Sequence, residues 1–307
     1  MSIALPLLVL ALVVVAAVLV ARLVLQGSPG PDALPLPERV ARHARRTRWV
    51  PPTAGLLAAV VLLAAQPALS SRVARAVGPD GPTGLVLALV PLAVGLVWVG
   101  ATAVAERTWP APDGELRHAA LAPRSVATTS PRLLRVLTAT WGGLLVAVLV
   151  TCAIVGDGNS LAVTSGPVTT SAGPFPGWAY GAPMLAAALA LAGLTVLTLR
   201  LVRRRPAVPS ITPEQDADLR RRTTGGALRV AQAAFGLTLG GTTLVAGVAV
   251  HGVTSGLTLN GEPAPAWGAL APWLVGAAWL VLLLAIAATV PWPARAARAA
   301  YPAGVPA

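Results

Sequence analysis

Apolar residues in this chain fall into long blocks, and the polar residues gather in the stretches between them. The blocks cover residues 3–21, 54–70, 84–105, 137–155, 182–199, 230–250 and 267–290. A helix rising 1.5 Å per residue needs about 20 such residues to cross a hydrocarbon core of about 30 Å. The pattern therefore predicts an all-α integral membrane protein with seven transmembrane helices forming one domain over residues 1–307. The second block is broken by Pro67 and followed by Arg72 and Arg75, which predicts a kinked helix or a short surface turn there. The first block could be a signal peptide. Met1 to Pro6 has no positive charge, however, and the apolar run is long, so an uncleaved helix is expected.

The polar stretches repeat. Val163-Thr164-Ser165-Gly166 is followed by Pro174-x-Pro176-x-Trp178, with Ala182-Pro183 after it. Val253-Thr254-Ser255-Gly256 is followed in the same way by Pro263-x-Pro265-x-Trp267 and Ala271-Pro272. On the other side, Asp113-x-Glu115-Leu116-Arg117 matches Asp216-x-Asp218-Leu219-Arg220, and Leu134-Arg135-Val136 matches Leu228-Arg229-Val230. A weaker Pro-Ala signal at Pro110-Ala111, Pro206-Ala207 and Pro293-Ala294 extends the series to a diverged first copy. The expected architecture is one N-terminal helix plus three tandem helical hairpins in parallel repeat.

Composition sharpens this picture. The chain is 55% hydrophobic and 11% charged, against about a quarter charged in soluble domains. Its net charge is +12, and all 23 basic side chains are arginine. They cluster in the stretches 27–52, 106–133 and 203–228 and in the tail, with only Arg72 and Arg75 on the opposite side. Positive residues are retained in the cytoplasm, so these three stretches are expected as cytoplasmic loops in the plasma (inner) membrane, with the N-terminus outside and the C-terminus inside. The same distribution speaks for topology and against a nucleic-acid partner; the expected partners are membrane lipids, through anionic headgroups near the arginines, and a membrane or cytoplasmic protein.

Candidate chemistry is sparse. The acidic residues lie in loops or at span edges, which argues against a carboxylate-coupled pump. His43 and His118 are assigned to inner loops and His251 to an outer helix end, and no Ser-His-Asp set, HExxH or phosphate loop is present, so no catalytic residue, metal or cofactor is expected. Pro174, Pro176, Trp178, Pro263, Pro265 and Trp267 form a candidate ligand or partner site in the outer loops. Interfacial anchoring by Trp with Pro opening the next helix is the preferred reading. Gly236 and Gly240 are expected to bring the sixth helix close to a neighbour, with Thr238, Thr242 and Thr243 bonding across the contact. Gln232 is expected to be solvated near the inner end. Thr212-Pro213-Glu214-Gln215 has capping-box spacing and predicts a short cytoplasmic helix.

With its arginine-only basicity, its Ala/Val/Leu-rich spans and its proline-tryptophan loops, the chain resembles the multi-pass membrane proteins of high-GC actinobacteria. That resemblance implies no activity. The functional expectation is a non-enzymatic scaffold, sensor or accessory subunit, with a permease for a neutral or lipidic solute as the alternative.

Overall fold

The computed structural model describes residues 36–77, 82, 84–109, 132–206, 208 and 211–289. The expected first span at 3–21 and the motif at Asp113 to Arg117 lie outside the described residues. Six helices follow in order: α1 (Glu38–Val77), α2 (Leu85–Arg107), α3 (Arg132–Val155), α4 (Trp178–Arg204), α5 (Pro213–Leu259) and α6 (Ala271–Ala287). Together with the 3-10 turn Ala266–Leu270 that leads into α6, all six are long and apolar enough to cross a membrane. The chain is mostly helical and compatible with an all-α membrane protein.

Two helices are much longer than their apolar blocks. Helix α1 has 40 residues and passes through Pro51, Pro52 and Pro67 without interruption. The stretch 27–52 is therefore helical from Glu38 onward rather than a loop, and no surface turn interrupts the chain at Pro67. Helix α5 has 47 residues, about 70 Å at 1.5 Å per residue. The expected capping box is present: Gln215 N–H donates to the Thr212 hydroxyl at 3.3 Å, and Thr212 N–H donates to Gln215 Oε1 at 3.0 Å. The helix it opens is not a short separate one, because Leu219 to Val230 contains no proline, and Gly225 and Gly226 cost only about 1 kcal/mol each in a helix of this length.

Helices α1, α3 and α5 start at the arginine-rich end, and α2, α4 and α6 return to it. Helix pairs α5–α6 and α1–α2 pack most extensively, followed by α2–α4, α3–α5 and α2–α5. Helix α5 is the centre: 67% of its apolar window is buried, against 11–33% for the others. Leucine, valine and tryptophan side chains such as Leu57, Leu133, Leu189, Trp273 and Leu283 are exposed on the peripheral helices. An apolar rim around a packed centre is the pattern expected where the solvent is lipid.

At the far end, a β-hairpin joins α3 to α4. Strand β1 (Leu161–Ser165) pairs antiparallel with β2 (Val168–Ala172), in register from Leu161 opposite Ala172 to Ser165 opposite Val168. This hairpin adds to the expected all-α fold; the cue is a run of alternating Val, Thr and Ser around Gly166-Pro167. Gly166 has φ +55, which suits the tight turn. The matching tetrapeptide Val253 to Gly256 is helical, within the last turns of α5. Identical residues thus take two conformations, because one copy continues a buried helix and the other is released after Gly156 and Gly158. The hairpin touches the end of α5 and the segment after it: the Thr170 hydroxyl donates to Val253 O at 3.2 Å, and the Ser165 hydroxyl to Glu262 Oε2 at 3.3 Å.

Candidate functional site

Charged groups meet at the arginine-rich end. Glu106 closes α2, Arg205 follows α4, and Asp216 and Arg220 lie one turn apart on α5. Arg205 Nη1 donates to Glu106 Oε2 at 3.2 Å and its Nη2 to Asp216 Oδ1 at 2.8 Å. Arg220 Nε donates to Asp216 Oδ2 at 2.8 Å, and the Thr223 hydroxyl to Glu106 Oε1 at 3.1 Å. The Arg220 guanidinium also serves carbonyls at the end of α4, donating to Val202 O, to Arg205 O at 2.9 Å and to Pro206 O at 3.1 Å. These are the acceptors a helix C-terminus leaves unpaired.

The cluster is almost dry. Side-chain exposure is 0% for Glu106, 2% for Arg205, 6% for Arg220 and 12% for Asp216. The Arg205 Cζ lies 4.2 Å from the Trp109 ring centroid, a cation–π distance. Trp109 in turn meets His43 of α1 with ring centroids 4.5 Å apart, and His43 Nε2 lies 3.2 Å from Ala105 O. The ends of α2 and α4 and the start of α5 are thereby tied together by two cations and two anions that cancel, and His43 joins α1 to them through Trp109. Geometry of this kind holds helices in one arrangement; its charges are spent on each other.

The carboxylates are thus at span edges, but Glu106 and Asp216 are buried in ion pairs rather than solvated. Trp109 is a platform for Arg205. The sequence singled out Asp216 and Arg220 through the repeated motif, and their i, i+4 spacing already pairs them. It missed Glu106 and Arg205, which lie 99 positions apart. The available signal was an acid at the same span edge as the long arginine run.

The outer-loop residues divide. Trp178 is exposed and, with Leu149, Ala153, Ile154 and Leu185, lines a wholly apolar groove between α3 and α4. Trp267 lies on the 3-10 turn before α6. Pro176 is buried, Pro174 and Pro263 are exposed, and Pro265 is half-buried. The two indoles are carried by different elements, Trp178 by the first residue of α4 and Trp267 by the 3-10 turn before α6.

Gly236 and Gly240 lie against α6. A Cβ at Gly236 would sit 2.5 Å from Ala285 Cβ, and one at Gly240 would sit 2.6 Å from Leu282 Cγ. The nearby threonines do not bond across this seam. Thr238 and Thr243 donate back to Ala234 O and Leu239 O of their own helix, and the Thr242 hydroxyl has no partner. Such i−4 bonding is the local alternative always open to a helical threonine. Gln232 is not solvated: it is fully buried, and neither amide atom has a hydrogen-bond partner. Leaving such a group unpaired costs about 1–3 kcal/mol. The Trp141 N–H is likewise buried without an acceptor.

Among the described residues no group of three or more His, Cys, Asp or Glu side chains converges as a metal site. No family model matches the chain, and no curated protein or solved structure is significantly similar to it.

Proposed function

We propose that this chain is a non-enzymatic scaffold or accessory subunit of the plasma membrane, with seven spans, its N-terminus outside and its arginine-rich end in the cytoplasm. The observation that carries this reading is the closed, charge-balanced cluster of Glu106, Arg205, Asp216 and Arg220. It favours one fixed arrangement of α2, α4 and α5, as a platform requires. The first turns of α5 extend the platform with the exposed residues Glu214, Asp218, Arg221 and Arg222, a polar surface suited to a soluble or juxtamembrane protein partner. Arginines of α1, among them Arg45 and Arg46, supply attraction to anionic headgroups, worth about 1 kcal/mol each near the surface.

A photo-crosslinker at Arg221 in native membranes tests the platform. The expected result is one protein captured in near-stoichiometric amount, with capture lost on joint Arg221→Glu and Arg222→Glu substitution at unchanged melting temperature. A second reading, permease for a neutral or lipidic solute, is favoured by the unpaired Gln232 amide inside the bundle. Solute flux through the purified, reconstituted protein, with no partner captured, would put that reading first.

A further inference from the structure

Helix α6 packs on the rest of the chain along one side. Ala278 and Ala285 are fully buried, and Val275 and Leu282 close on Gly247 and Gly240 of α5. On the opposite side Trp273, Gly276, Leu280, Leu283 and Ala287 are all exposed, and nothing lies within 4 Å of where a Gly276 Cβ would stand. Their alternating spacing of 3 and 4 residues is that of the seam between two supercoiled helices. Exposed leucines alone call for no partner, because lipid tails are as apolar as leucine.

Trp279 sets this face apart. It is the central residue of the 17 in α6 and is 49% exposed, and among the described residues its N–H has no acceptor. Indoles of spanning helices collect at the two membrane surfaces, where the N–H is hydrated. At mid-span neither water nor lipid tails offer an acceptor, so this donor calls for a partner that does. A long side chain on a helix leans over the turn before it, which brings the indole toward the level of Gly276. The missing side chain at Gly276 uncovers backbone carbonyls at about that depth.

Two occupants from this chain are available. The apolar block at 3–21 contains no glycine, serine, threonine, asparagine or glutamine, so it presents neither a side-chain acceptor nor an uncovered stretch of backbone. A second copy presents both the seam and the gap. Two copies inserted the same way are related by a two-fold axis along the membrane normal, so their α6 helices run parallel and each seam residue meets its own counterpart. We propose that α6 is the interface to a second copy of this chain, with Gly276 allowing close approach and each Trp279 N–H donating to a backbone carbonyl beside Gly276 on the partner. The interface is independent of the platform reading and of which end faces the cytoplasm, because both copies share one orientation.

Single cysteines in a Cys152→Ser background, oxidised in native membranes, test the seam. Disulfide-linked dimers are expected from Leu280→Cys and Leu283→Cys in much higher yield than from Ala277→Cys and Leu284→Cys, which are exposed but lie off the seam. Energy transfer between labelled full-length copies, diluted with lipid in liposomes, reads the affinity. Trp279→Phe is expected to weaken association about three- to tenfold and Gly276→Leu to weaken it further, both at unchanged helical content. Wild-type association in both variants, or equal disulfide yield at all four positions, would overturn the interface. So would a disulfide between Leu283→Cys and Val13→Cys within one chain that forms in place of the dimer, since it would give this face to the first apolar block.

Discussion

Glu106 is held by one guanidinium and one hydroxyl and has no access to water. Removing its charge leaves Arg205 in a dry site with only Asp216, which Arg220 already shares. Breaking a buried pair in this way costs about 3–5 kcal/mol. Glu106→Gln is therefore expected to lower the melting temperature in detergent strongly, and Thr223→Val to cost only about 1 kcal/mol. Asp218→Asn, which loses an exposed i, i+4 pair with Arg222, should change stability by less than about 0.5 kcal/mol. If Glu106→Gln and Arg205→Met each destabilise but the double variant is no worse than either, the pair is coupled as described; additive losses would contradict the cluster. Sequence spacing disclosed the Asp216–Arg220 half of this cluster because both residues share a helix. The other half depends on how α2 and α4 end beside α5, a contact between distant segments that no local pattern encodes. Gln232 was misjudged for a related reason: it stands only two residues inside an apolar block, but its helix continues well beyond that block and neighbours cover it on all sides.

At the level of elements, α5 depends on close approach to α6. Gly240→Leu would drive a side chain into Leu282 and should destabilise by about 1–3 kcal/mol or more, whereas the partly exposed Leu237→Ala should do much less; equal tolerance would remove the seam. The Thr212 cap is at the distant, solvated end, so Thr212→Ala should cost about 1 kcal/mol and show as faster amide exchange over Pro213 to Leu219 without a shift in the whole-protein melt. The apolar blocks predicted where helices lie, because lipid demands a sustained run. They underestimated α1 and α5, whose charged extensions are helical for reasons of capping and i, i+4 pairing instead. They also passed over the hairpin, ten strand residues that look like a loop when only spans are being sought. Trp178→Phe and Trp267→Phe should leave folding intact, since each indole sits on its own element and Phe keeps most of the apolar area. Loss of a co-purifying molecule with both variants would show a shared site that the separate seating of these residues does not explain.

Across the whole molecule, the alternation of helix directions places the hairpin and the arginine cluster at opposite ends, and the proposed orientation, which follows the arginine bias, puts the cluster on the cytoplasmic side. In a Cys152→Ser background, single cysteines at Thr164 and Asn260, both exposed at the hairpin end, should label with an impermeant thiol reagent in intact cells. A cysteine at Arg221, exposed at the other end, should label only after permeabilisation; the reverse pattern would invert the topology. The balanced cluster has one more consequence, for a protein that lives across an electrical potential. A single arginine carried through the full membrane field is subject to about 2.3 kcal/mol per 100 mV. Arg205 and Arg220 move with Glu106 and Asp216 or not at all, so any displacement of that group transfers no net charge. Translation of the part of the bundle richest in buried ions is therefore a movement that a change in membrane voltage does not drive.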